Sequence, residues 1–131
     1  MAKPNRSVLV VDDDTQILES FKTILESEGF AVDTAESGEE AVKKVKAGVF
    51  DVVLLDIKLP GIEGTDVLAI LHEIFPDIIK IMMTGFPSLD NAIASLKRGA
   101  DAYVMKPVDP EKLLAVVEKK LAERDAHEKK S

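Results

Sequence analysis

Four short apolar runs in this chain each end in a polar group able to do chemistry. Val8 to Val11 leads into Asp12, Asp13 and Asp14, Val52 to Leu55 into Asp56, Ile78 to Met83 into Thr84, and Ala102 to Met105 into Lys106 and Pro107. An Asp directly before a helical pattern commonly caps that helix, and Asp14 fits that role. Only one residue can be the cap. Asp12 and Asp13 remain as two carboxylates crowded at one strand end, where like charges repel and a cation would relieve them. Asp56 taken alone serves equally well as a turn former ahead of Leu59-Pro60-Gly61. Beside Asp12 and Asp13 it completes an oxygen-rich site for a hard cation. Mg²⁺ suits a site with few protein ligands, and the spacing of a dedicated calcium loop is absent. Lys106, by itself an ordinary solvated lysine, would there balance the acids and bind an incoming phosphoryl oxygen. Thr84 would add a hydroxyl donor, its plainer alternative being a strand-end threonine, and Gly85 leaves room for a ligand near the backbone.

Positioning these groups requires five strands: Val8 to Val11, Ala31 to Ala35, Val52 to Leu55, Ile78 to Met83 and Ala102 to Met105. Between the first two, Ile17, Leu18, Phe21, Ile24 and Leu25 recur at helical spacing ahead of Gly29, which stands where a C-terminal cap belongs. Ser37 and Glu40 open a second helix in capping-box spacing, with Ala41, Val42 and Val45 inside and Gly48 at its end. A third carries Val67, Leu68, Leu71, Ile74 and Phe75 on one side and stops before Pro76. A shorter fourth runs from Ser88 to Gly99 over Ala92, Ile93 and Leu96. Asp109 and Pro110 open a fifth, with Leu113, Leu114, Val117 and Leu121 inward. Strict alternation with short connections predicts an α/β fold, a single doubly wound five-stranded parallel sheet covered by helices on both faces. The near-continuous apolar strands agree. In such a sheet, functional groups gather beyond the carboxyl ends of the strands.

A chain of 131 residues, 46% of them hydrophobic, fits one domain, expected over residues 7–123 between a loose N-terminus, 1–6, and a charged tail or linker, 124–131. The absence of cysteine excludes disulfides, thiolate zinc sites and a cysteine nucleophile. A net charge of −7 argues against this domain gripping nucleic acid. No apolar run is long enough to span a bilayer and Met1 to Ser7 lacks a signal sequence, so a cytoplasmic protein without membrane contact is expected. His72 and His127 read as solvated surface.

Taken in order, Val10-Val11-Asp12-Asp13, Asp56 in Asp-x-x-Leu-Pro-Gly, Met83-Thr84-Gly85 and Lys106-Pro107 resemble the response-regulator receiver family of two-component signalling, over about Ser7 to Leu121. The resemblance implies a flavodoxin-like strand order 2-1-3-4-5. It also makes a choice that the residues alone leave open, that Asp56 is the phosphoacceptor. It further implies that Asp13, Asp56 and the backbone carbonyl of Lys58 hold Mg²⁺ with Asp12 in support, that Thr84 and Lys106 hold the phosphoryl oxygens, and that the bond before Pro107 is cis. Tyr103 would be the switch aromatic. Lys58 and Phe86 would tune the phosphoryl lifetime, Phe86 by limiting in-line water. The chemistry would be self-catalysed gain and loss of the phosphoryl group, without enzymatic turnover of another substrate. A sensor histidine kinase would be the donor. An output domain, a partner protein or a second copy of the chain would read the face of fourth helix, fifth strand and fifth helix.

Three rivals are weighed against this. A flavodoxin-type flavin binder needs a Ser/Thr/Gly-rich phosphate loop where this chain has three acids. A haloacid-dehalogenase-like phosphatase needs Asp-x-Asp-x-Thr/Val, which fails at Lys58 after Asp56 and at Gln16 after Asp12. The remaining alternative is a receiver-like interaction module that works without phosphorylation.

Overall fold

The structure, a computed structural model, describes residues 6–85 and 98–130. Along the chain come β1 (Ser7–Val11), α1 (Thr15–Ser27), β2 (Ala31–Ala35), α2 (Gly38–Ala47), β3 (Val52–Asp56), α3 (Gly64–Ile74), β4 (Ile79–Thr84), β5 (Ala102–Met105) and α4 (Pro110–Lys130). The last is the expected fifth helix. The expected fourth, with Ser88, Ala92, Ile93 and Leu96, lies outside the described residues, as does Phe86. The strands pair in parallel in the order β2-β1-β3-β4-β5. From β1 the chain moves outward to β2, then crosses back to β3 on the other side. The connections leaving β1 and β3 therefore diverge, and a crevice opens at their carboxyl ends.

Alternating side chains of the sheet feed two cores. On one face, α1 and α4 set Leu18, Phe21, Leu25, Leu113, Val117 and Leu121 over Val8, Val10, Val52, Leu54, Ile81 and Met83. On the other, α2 and α3 set Ala41, Val45, Val67, Leu68 and Leu71 over Leu9, Val11, Val53, Leu55 and Met82. Strands β3 and β4 are buried throughout, whereas the edge strand β2 alternates exposed and half-buried residues up to Ala35 because one side has no neighbour.

The helix ends follow their sequence signals closely. Asp14 Oδ1 accepts the N–H groups of Gln16 and Ile17 at 2.9 and 3.4 Å. At the other end Phe30 N–H returns to the Leu25 carbonyl and Gly29 N–H to that of Glu26, a Schellman turn that needs the left-handed φ of +93° at Gly29. Ser37 Oγ accepts the Glu40 N–H at 3.2 Å, but Glu40 reaches back to the Glu36 N–H at 2.6 Å instead of to Ser37, one residue beyond the usual reciprocal box. Asp109 Oδ1 caps α4 through the Glu111 N–H at 3.0 Å.

Two expectations need correction. Ile74, placed inside by helical periodicity, is 48% exposed. It is the last helical residue, and the chain turns at Phe75, which packs against the second core in its place. The charged stretch from Arg124 is no separate tail at its start: α4 runs through it, Arg124 bonds Asp51 at 3.0 Å, and Arg6 pairs with Asp125.

Two glycines near these turns separate two kinds of cost. A Cβ at Gly29 would meet nothing within 4 Å, so only the backbone conformation opposes it. A Cβ at Gly64 would collide with the Asp56 carbonyl oxygen and the Ile57 backbone. Gly29→Ala is expected to lower stability in urea titration by about 1 kcal/mol. Gly64→Ala should cost about 2–3 kcal/mol, because backbone beneath it must move.

Candidate functional site

Backbone bonds at the carboxyl edge fix where each functional side chain emerges. Asp12 N–H donates to the Ala35 carbonyl at 3.1 Å, Ile57 N–H to that of Met83 at 3.0 Å, and Lys106 N–H to that of Thr84 at 2.6 Å. Sheet pairing thus continues to the last residue of each strand, and the groups that follow are held at one level. Asp12, Asp13 and Asp56 each place a carboxylate oxygen within 4.8 Å of the others. Asp12 and Asp56 are buried, 0% and 6% exposed, while Asp13 is exposed.

Lys106 joins the two buried acids. Its Nζ donates to Asp12 Oδ2 at 2.6 Å and to Asp56 Oδ2 at 3.1 Å. Asp12 Oδ1 accepts the Asp14 N–H at 2.9 Å, so both its oxygens are engaged, and Asp56 Oδ1 accepts the Lys58 N–H at 3.3 Å. Burial and the neighbouring Asp12 charge raise the Asp56 pKa above the ordinary carboxylate value, against the pull of Lys106. Burial would lower the Lys106 pKa, but its bonds to the two acids outweigh that and hold it above the usual lysine value. The Lys106 ammonium thus joins two of the three carboxylates. The clustered acids offer oxygen donors only, which fits a hard divalent cation.

Asp13, Asp56, Lys58, Thr84, Gly85 and Lys106 line a depression of about 240 Å³ above this cluster. Thr84 is 2% exposed. All the expected ligand and phosphoryl-holding residues are thus gathered at one place. Tyr103 stands apart, paired with Met82 across β4 and β5 and half-buried against the second core. Its hydroxyl is buried without a hydrogen-bond partner among the described residues. The Lys106–Pro107 bond is cis. His72 is exposed and stacked close over Gly99, away from the acids, and the His127 side chain lies outside the described residues. Two contributors have no clear sequence signal: Gly64, whose missing Cβ admits the Asp56 carbonyl, and Glu39, whose Oε1 accepts the Ile62 N–H at 3.2 Å.

The model of the response regulator receiver domain matches residues 8–118. This chain belongs to that family. The receiver domain is 36% identical over 122 residues to the transcriptional regulatory protein ZraR of Escherichia coli, covering 93% of this chain and 28% of ZraR. It spans just over a quarter of the length of the curated relatives it matches. A CheY-like receiver domain protein from Methanospirillum hungatei superposes with a TM-score of 0.92 at 46% identity, covering 95% of this chain and 99% of the other. A Burkholderia pseudomallei response regulator, solved with a phosphorylated aspartic acid, a calcium ion and citrate, superposes at 0.83 with 31% identity, covering 95% and 73%. Among the described residues, no helix of the receiver domain is long and apolar enough to cross a membrane.

The charge imbalance sets a stability test in the absence of divalent cations. Asp56→Asn removes a charge that folding penalises and is expected to raise the thermal midpoint at neutral pH. Because the folded-state pKa of Asp56 is raised, that gain should shrink as pH falls through it toward the ordinary carboxylate range, where the wild-type group is already neutral. Lys106→Met should cost about 3 kcal/mol by stranding two buried acids, and less when combined with Asp56→Asn.

Proposed function

We propose that this receiver domain accepts a phosphoryl group on Asp56, from a sensor histidine kinase or a small phosphodonor, and passes the change to an output domain or partner. The observation that carries the reading is the Lys106 ammonium 3.1 Å from Asp56 Oδ2 inside a cluster of three carboxylates. Asp13, Asp56 and the Lys58 carbonyl would hold Mg²⁺, with Asp12 in support. Bound there, the cation supplies neutralisation of the acids and of the incoming phosphoryl oxygens.

The chain's own residues account for the rest. Asp56 attacks phosphorus with a carboxylate oxygen while the donor's leaving group departs with its bonding electrons on the opposite side. Lys106, kept protonated by the acids around it, transfers its hydrogen bond from the Asp56 oxygen to a phosphoryl oxygen. Thr84 donates its hydroxyl to another. The product is an acyl phosphate, which water hydrolyses, so the signal is transient and no external substrate is turned over. Lys58 at the rim, together with Phe86, tunes that lifetime.

Output begins at Thr84. Its movement toward the new oxygens opens space that Tyr103 fills, and Tyr103 already packs against the apolar core beside it. Two arrangements a few kcal/mol apart are enough for phosphorylation to shift the population. The face containing β5 and α4 would carry the change to an output domain, a partner protein or a second copy of the chain. With a net charge of −7, the receiver acts on those proteins in the cytoplasm and makes no nucleic-acid or membrane contact of its own. The phosphorylated aspartate in the Burkholderia relative supports the chemistry.

Incubation with acetyl phosphate and Mg²⁺ followed by intact mass spectrometry tests this. Wild type is expected to gain one phosphoryl group, Asp56→Asn none, and Lys106→Ala to react roughly a hundredfold more slowly. An unmodified wild type would favour the phosphorylation-independent interaction module.

A further inference from the structure

The loop between β3 and α3, which carries Lys58, is anchored at its start by the buried Ile57 and Leu59 side chains, and its further half runs through Pro60 and Gly61. Pro60 has no N–H, and Gly61 has a φ of +77°. The loop is closed at its base by the Gly64 N–H on the Ile57 carbonyl at 2.7 Å. Lys58 N–H also bonds Asp56 Oδ1 at 3.3 Å. The start of α2 grips the loop from outside. Gly38 sits so close that a Cβ there would collide with Val67 and crowd the Ile62 carbonyl. Glu39 Oε1 accepts the Ile62 N–H, and the same carboxylate lies over Gly61, where a side chain would strike it. The helix itself has no need of Glu39 as a cap, since Ser37 and Glu40 fill the capping positions.

We propose that Glu39 is a positioning residue for the Asp56 site, holding the loop through Ile62 in the conformation that presents the Lys58 carbonyl to the cation. This rests on the phosphoacceptor reading above. Groups that orient metal ligands without touching the metal still govern affinity. Here the orienting group comes from a neighbouring helix and acts on the backbone two residues beyond Pro60.

Mg²⁺ titration calorimetry and amide hydrogen exchange on wild type, Glu39→Gln and Glu39→Ala provide the test. Gln keeps the acceptor oxygen and removes the charge, so it separates the hydrogen bond from simple attraction of a cation by an acid. Glu39→Ala should weaken Mg²⁺ binding roughly tenfold and speed exchange at Ile62 and its loop neighbours. Glu39→Gln should remain within about twofold of wild type, since the bond survives. Equal Mg²⁺ affinity in wild type and Glu39→Ala would overturn the role of Glu39 alone, as would a Glu39→Gln variant as weak as Glu39→Ala. A wild type that binds no Mg²⁺ would instead overturn the phosphoacceptor reading.

Discussion

Asp12 and Asp56 are both buried, both bonded to the same Lys106 ammonium, and both within reach of a third acid, Asp13. A buried charge is tolerated when paired, and here one ammonium is shared between two buried acids. Burial first and the Asp12 charge second push the Asp56 pKa upward, while the same two acids hold Lys106 charged. In the proposed chemistry the same ammonium would serve twice, pairing the acids at rest and holding a phosphoryl oxygen once a cation had taken over part of their charge.

That arrangement depends on the sheet more than on the loops. Asp56 closes β3, Thr84 closes β4, and Lys106 follows β5 with its N–H still paired to the Thr84 carbonyl. A one-residue slip in any of these registers would turn a functional side chain to the opposite face. The two cores guard against the slip, because the apolar side chains of β1, β3 and β4 are divided between the two clusters and would lose them. Burial of the central strands therefore does more than stabilise; it sets the level at which the carboxylates meet.

The sequence made the strand ends legible because each is an apolar run closed by a polar residue, and it made the helices legible where a cap and a period coincide, as at Asp14, Ser37 and Asp109. Periodicity misled at Ile74, since the 3.6-residue pattern continues after the helix has ceased to face the sheet. Glu39 was out of reach for another reason: its partner is a backbone N–H on a separate element, and Glu in a first helical turn is ordinary. Gly64 matters through what it lacks, and a missing Cβ leaves no pattern. Lys80 was hidden in plain view, a lysine inside the apolar run Ile78 to Met83, read there only as strand. The choice of Asp56 as nucleophile came from the family's motifs, since pattern alone could not separate a nucleophile from a ligand.

Lys80 belongs to the opposite edge of the sheet, where the charge pattern differs. Its side chain is 1% exposed, burial pushes its pKa down against Asp101 and Asp77, and its ammonium donates to the Ile78 carbonyl at 2.6 Å with Asp101 3.8 Å away. Nearby, Asp51 accepts the Ser7 N–H at 2.9 Å and the Arg124 guanidinium at 3.0 Å, and Arg6 meets Asp125. These acids find partners within the fold, which joins the start of β1, the entry to β3 and the second half of α4. Native proteins are marginally stable and that stability is unevenly distributed, so a site can remain electrostatically incomplete only where the rest of the fold holds. Here the incomplete edge and the tied edge are opposite ends of the same strands. The charged stretch beginning at Arg124 is accordingly part of the receiver's own packing before it is a connection to anything beyond it.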